Sequence, residues 1–246
     1  MRLRLPLLLA SLALAVPTFA AAQSGQTPTR FEVPVCPAVF GLAPQQAAFV
    51  ADRMRRIALE GGVPLAKTPC APNAIVIVTA NKGALIDALA QHHPNYFPIE
   101  WGAGKIRALE RDPYPAAAWQ FEGLLTPDKL RISETTIPSL LDPVDPAALV
   151  ASTPPTTAPA SRLRPSVRRD VMTSVLVVQA NALAGLTATQ FADYAAMRTL
   201  ARTDPSQVPA PASDTILKVL DAPMGSTVPL SITARDLAFL RGYYGS

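Results

Sequence analysis

Few residues in this chain have the types and spacing that catalysis needs. The only two imidazoles are His92 and His93, adjacent in sequence and followed at once by Pro94. Metal ligands must converge on one point, and neighbouring side chains diverge, so the pair reads as part of a surface loop rather than a metal pair or a catalytic base. A serine nucleophile would have to borrow one of these histidines, and the chain has no Gly-x-Ser-x-Gly turn. Carboxylate pairs for glycoside cleavage can be assembled from Asp112, Glu122, Asp128 and Glu134, but their spacing singles out no pair. Gly102-Ala103-Gly104-Lys105 lacks both the leading glycine and the hydroxyl residue of a phosphate-binding loop. What remains is a candidate cleft rather than a candidate reaction. Gln190, Asp193 and Tyr194 supply polar groups on one helix, and Trp101 and Trp119, in an aromatic cluster with Tyr114 and Phe121, form a candidate wall. Asp193 also has structural roles open to it: capping a loop, or pairing with Arg162, Arg168 or Arg198. The aromatic cluster can equally be the packing of an irregular segment.

The helix that carries the three polar groups belongs to the strongest structural unit in the chain. Val175-Leu176-Val177-Val178 is an uninterrupted apolar run, which reads as a strand covered on both faces. Gly185 breaks the chain, and Thr187-x-x-Gln190 has the spacing of a capping box that opens a helix running to about Ala201. Upstream, Phe31–Val35 reads as a first strand, Pro44–Glu60 as a long helix ended by Gly61-Gly62, and Ala74–Thr79 as a second buried strand. Arg53, Arg55 and Arg56 fall on the polar side of the long helix and read as a solvated face rather than an anion site. Strand, helix and strand at this separation imply a right-handed crossover within one sheet. Gly83–Gln91 is a short helix, Ala116–Glu122 a strand, and Leu130–Ile137 a candidate partner for it. Thr215–Leu220 is a short strand or one helical turn, and Thr233 caps a last helix. The Pro/Thr-rich stretch at 152–160 reads as a surface loop, so residues 31–246 are expected to form one α+β domain.

Composition narrows the setting. Arg2 and Arg4, the apolar run Leu5–Val16 and Ala20-Ala21-Ala22 have the layout of a signal peptide over residues 1–22, followed by a disordered mature start at 23–30. Its removal leaves 20 basic side chains against 18 acidic ones, a net charge of +2 that gives no reason to expect nucleic acid. No later segment has the length of a membrane span, so the expected product is secreted, and periplasmic in a Gram-negative host. Cys36 and Cys70 are the only cysteines, and in an oxidising compartment they are expected to pair. No cofactor is implied, and the expected partner is an unidentified small molecule or protein of the cell envelope.

The order of these elements resembles that of the zincin metalloproteases, the metzincin branch in particular. Ile232-Thr233-Ala234-Arg235-Asp236 through Leu240 to Tyr243-Tyr244-Gly245 is similar to that group's terminal Leu-Thr-x-x-Asp…Leu-Tyr-Gly pattern, and Thr215-Ile216-Leu217 lies where the group has its methionine turn. The mature chain also resembles secreted proteobacterial proteins with no assigned activity. The resemblance implies a mixed twisted sheet packed on a long N-terminal helix, a central helix and a C-terminal helix. It does not carry over the chemistry. The family's His-Glu-x-x-His places two imidazoles on one side of a helix with a general base beside the first. Here Gln190, Phe191 and Tyr194 stand at the first His, the Glu and the second His, and Leu200 at the third His. The expectation is therefore a non-catalytic binding or scaffold domain without a metal, the alternative being an envelope-directed hydrolase that uses carboxylates.

Overall fold

In a computed structural model, residues 29–125, 168–223 and 225–245 are described. The expected signal segment, the pairing proposed for Leu130–Ile137 and the expected loop at 152–160 all lie outside them. The described chain is α+β, with a four-stranded mixed sheet and five α-helices. In order these are β1 (Pro37–Phe40), α1 (Pro44–Glu60), β2 (Ala74–Thr79), α2 (Lys82–His92), α3 (Ala103–Arg111), β3 (Ala116–Leu125), β4 (Arg168–Gln179), α4 (Ala188–Leu200) and α5 (Ala234–Tyr244).

The sheet order is β1-β2-β4-β3. β1, β2 and β4 run parallel, and β3 lies antiparallel on β4 at one edge, with Trp119 opposite Val175 and a register shift between Phe121 and Glu122. The pleat sends alternate residues of β4 to opposite sides, which explains its unbroken apolar run. Leu176 and Val178 join a core built with α1, α4 and α5, whereas Val175 and Val177 join a second core with Ile86 of α2, Phe97 and Trp119. The sheet is therefore covered on both sides.

Two elements differ from the sequence expectation. Phe31–Val35 is not a ladder strand, since its ends make only single bridges, Phe31 to Val171 and Val35 to Leu65. Pro34 has no N–H to give to a ladder, while Phe31 and Val35 are fully buried and serve the core instead. β1 begins two residues later, past Cys36, and ends at Gly41, where φ is +84° and a Cβ would stand 1.9 Å from the Val78 carbonyl oxygen. Only glycine is accommodated there. The second difference is α3, which the two glycines at 102 and 104 obscure. It packs Ile106 and Leu109 against the second core, and its C-terminal end is held by Lys82. The Lys82 ammonium is almost completely buried and donates to the carbonyls of Asp112 and Tyr114 at 2.7 and 2.8 Å. The Thr215–Leu220 stretch holds a 3-10 turn at Ile216–Lys218 rather than a strand.

Cys36 and Cys70 form a disulfide with Cα atoms 6.0 Å apart. Because β1 starts after Cys36, the bond ties the entries of two parallel strands, not the exit of one to the entry of the next. Thr29 and Arg30, the end of the stretch expected to be disordered, are tied down: Tyr243 Oη donates to the Thr29 carbonyl at 2.6 Å, and Arg30 donates to the Tyr243 carbonyl at 3.0 Å. Among the described residues no helix is long and apolar enough to cross a membrane.

Candidate functional site

The helix α4 opens as its sequence dictates. Thr187 Oγ1 accepts from the Gln190 N–H at 3.1 Å, and Gln190 Oε1 accepts from the Thr187 N–H at 3.0 Å, completing the capping box. This fixes the direction of Gln190: its Nε2 donates to the Pro229 carbonyl at 2.8 Å, and the side chain is buried. One turn further, Asp193 is fully buried and serves as a junction. Arg53 of α1 donates to both of its carboxylate oxygens, at 2.6 and 3.0 Å, and Ser231 Oγ donates to Oδ2 at 2.9 Å, as does the Ile232 N–H. The partner is thus none of the three arginines considered from the sequence. Arg53 lies on the face of α1 that reads as solvated, and 140 residues separate the two partners.

Tyr194 is fully buried, with its hydroxyl 3.5 Å from that of Tyr114. Burial pushes both phenols well above the ordinary tyrosine value, and nearby Arg198 offsets part of the shift in each. Gln190, Asp193 and Tyr194 therefore belong to the packed interior around α4, each with its own partner. They do not line an open cleft.

A groove of about 310 Å³ opens elsewhere, where β3, the end of α4 and the start of α3 meet. Residues 118–120 of β3 form one side, and Arg198, Arg202 and Thr203 at the end of α4 form another. Glu100, Trp101 and Lys105 close the third. Of the five residues expected to share a cleft, Trp101 and Trp119 meet here. Trp119 is fixed in place: its indole N–H donates to the Tyr96 carbonyl at 2.9 Å and its ring stacks on Phe97 at 5.2 Å between centroids. The Lys105 ammonium sits 4.2 Å from the centre of the Trp101 ring, a cation–π arrangement. Arg198 entered the sequence reading only as a partner for Asp193, and Lys105 only in a rejected phosphate-loop match, yet both line the groove. A cation in the last turn of a helix is the ordinary complement of the helix dipole, so nothing in the sequence marks Arg198 as special.

The remaining candidates do not converge. His92 and His93 are exposed, with His93 stacked on Tyr96 at 5.1 Å. Asp112 Oδ1 accepts from the Tyr114 N–H, and Glu122 accepts from Arg202 at 2.6 Å. Asp128 and Glu134 lie outside the described residues. Among the described residues no three His, Cys, Asp or Glu side chains gather where they could hold a metal ion. The one acid on the groove wall, Glu100, has no second carboxylate facing it there. No family model matches the chain, and no match was found among curated proteins or among solved structures.

Proposed function

We propose that the chain is an exported binding domain on a zincin-like scaffold, acting in the periplasm or at the cell envelope, with its ligand site in the groove between β3 and the end of α4. Three features support the scaffold reading. The edge strand β3 runs antiparallel to β4 and, among the described strands, directly precedes it, and β4 leads towards the central helix. The terminal Thr233-x-x-Asp236 forms a capping box. From it Asp236 also accepts from Thr215 Oγ1 at 2.6 Å and from the Ile216 N–H at 2.9 Å, locking the short turn that stands where the zincins have theirs. The disulfide fits an oxidising compartment.

One observation carries the functional half of the reading. The side of α4 that would hold zinc in a metalloprotease is occupied by Gln190 and Tyr194 in closed, hydrogen-bonded packing, while the groove is lined by indole rings and cations. Neither an amide nor a phenol of raised pKa provides the imidazole affinity or the general base that zinc hydrolysis requires. Protein purified without chelator should contain substoichiometric zinc by mass spectrometry, and EDTA should leave its thermal midpoint unchanged. One tightly held zinc per chain, with loss of stability or of a peptidase activity on chelation, would refute the reading.

A further inference from the structure

Two buried polar atoms without a partner among the described residues, Arg198 Nε and Gln120 Oε1, belong to the wall of the same groove. Arg198 is only 8 % exposed. Its Nη1 donates to the Thr203 carbonyl and its guanidinium also acts on the Tyr194 phenol, but its Nε–H has no partner among the described residues, and none of their carboxylates lies within ion-pair distance of it. Burying an N–H and a C=O in this way is unfavourable unless something else completes them. The side chains on the groove wall are mostly basic, although Asp204 and Asp221 act on Arg198 from outside the wall. Lys105 stands over the Trp101 ring with no carboxylate partner among the described residues, and Arg202 adds a third cation that shares Glu122 with Arg169. Glu100 is the single acid on the wall.

We infer that this groove binds the oxyanion group of a small ligand, a carboxylate or a phosphate, with Arg198 Nε–H and Lys105 contacting the anion and Gln120 Oε1 accepting a hydrogen bond from an adjacent N–H or O–H of the ligand. The inference rests on the groove being the ligand site and adds the ligand's chemical class. A guanidinium held by its own helix end is a preorganised donor, so little side-chain entropy is lost on binding. A groove of about 310 Å³ is at the small end of ligand sites, which suits a metabolite-sized acid or the terminal group of a longer molecule.

The test is titration of the exported chain, at fixed ionic strength, with N-acetylglycine, its neutral counterpart N-acetylglycinamide, and inorganic phosphate. Intrinsic fluorescence reports binding because both tryptophans of the chain line the groove. One or both oxyanions should saturate the signal at one site, and the stronger of the two identifies the group. The neutral amide should bind about 10- to 100-fold more weakly, the factor expected for hydrogen bonds to a charged group. Arg198→Lys keeps the charge but removes the Nε–H, and should weaken the oxyanion by a similar ~10- to 100-fold. Lys105→Gln and Gln120→Leu lie on the groove wall and should each weaken it about tenfold, so they carry the test if Arg198→Lys fails to fold. Absence of saturation by either oxyanion up to about 10 mM overturns the inference. So does equal affinity for the amide, or indifference to Lys105→Gln and Gln120→Leu. Saturation by the neutral amide alone would sink the oxyanion assignment and leave the binding reading standing, whereas stoichiometric zinc would sink that reading without touching the oxyanion result.

Discussion

Asp193 shows how much of the interior depends on a single carboxylate. It is fully buried and accepts hydrogen bonds from Arg53, Ser231 and the backbone of Ile232, so it joins α1 to the segment before α5 through α4. Asp193→Ala removes the anion and leaves the Arg53 guanidinium, whose side chain is 19 % exposed, without its counter-charge. The cost should be about 3–5 kcal/mol, the range for breaking a buried pair by deleting one partner. Arg53→Met should cost less, because Asp193 keeps its two other donors. Urea unfolding of the two variants checks the order; equal small losses would show that the carboxylate is not the junction described. Such a residue is a plausible cleft acid when only its neighbours in sequence are known. Its position became interpretable only when Arg53, far away along the chain, was found beside it.

At the scale of elements, the disulfide and the sheet act together. β1 is four residues long and, among the described strands, pairs only with β2, so it is an edge strand with few ladder bonds of its own. Cys36–Cys70 spans 34 residues and holds the entries of β1 and β2 together across α1. Replacing both cysteines by serine should lower stability by about 3–4 kcal/mol through the restored freedom of the unfolded loop. Hydrogen exchange should accelerate first at β1 and the start of α1, and slowest at β4, which is paired on both sides. Faster exchange spread evenly over the sheet would argue against this local role. Element positions followed the sequence closely wherever periodicity was strong: α1 and β2 have the ends expected, and the Thr187–Gln190 box opens α4. They departed where proline or glycine intervened. Pro34 keeps Phe31–Val35 out of the ladder, and the glycines at 102 and 104 hide the amphipathic α3.

For the whole molecule, the tyrosines set the alkaline limit. Tyr114, Tyr194, Tyr243 and Tyr244 all have their phenol pKa raised by burial above the ordinary value of 10.0. Between that value and the raised folded values the native state binds more protons than the unfolded one. The stabilisation is therefore complete below about pH 10 and is lost as pH rises through the folded values. Tyr194 and Tyr244, the two most buried, can each contribute a slope of up to about 1.4 kcal/mol per pH unit, and the half-buried pair less because water screens them. Lys82 works in the opposite sense, since burial lowers its pKa from 10.5, but it is one group against four. The urea midpoint should hold steady from neutral pH to about 9.5 and fall steeply above 10, with the phenolate absorbance of these four tyrosines appearing at unfolding rather than before it. Phenolate forming in the folded protein near pH 10 at more than one of the chain's five tyrosines would contradict the packing assigned to these four side chains.

By itself the sequence determined what depends on neighbours within a few turns. The period of the apolar residues places α1, β2, β4 and α4, the Thr187 and Thr233 boxes begin two helices, and the residue types at 190, 191 and 194 are not those that grip zinc. It also paired the two cysteines, since there were no others to choose between. Only the tertiary structure decided which polar groups turn inward and which line the groove. Gln190, Asp193 and Tyr194 turn inward because Pro229, Arg53 and Tyr114 arrive from distant segments to satisfy them. Arg198 and Gln120 share a groove because β3 packs beside the end of α4, a meeting across 78 residues of chain that no local pattern encodes. Hydrogen-bond satisfaction is a property of the folded neighbourhood, and a side chain's type records only what it is able to bond.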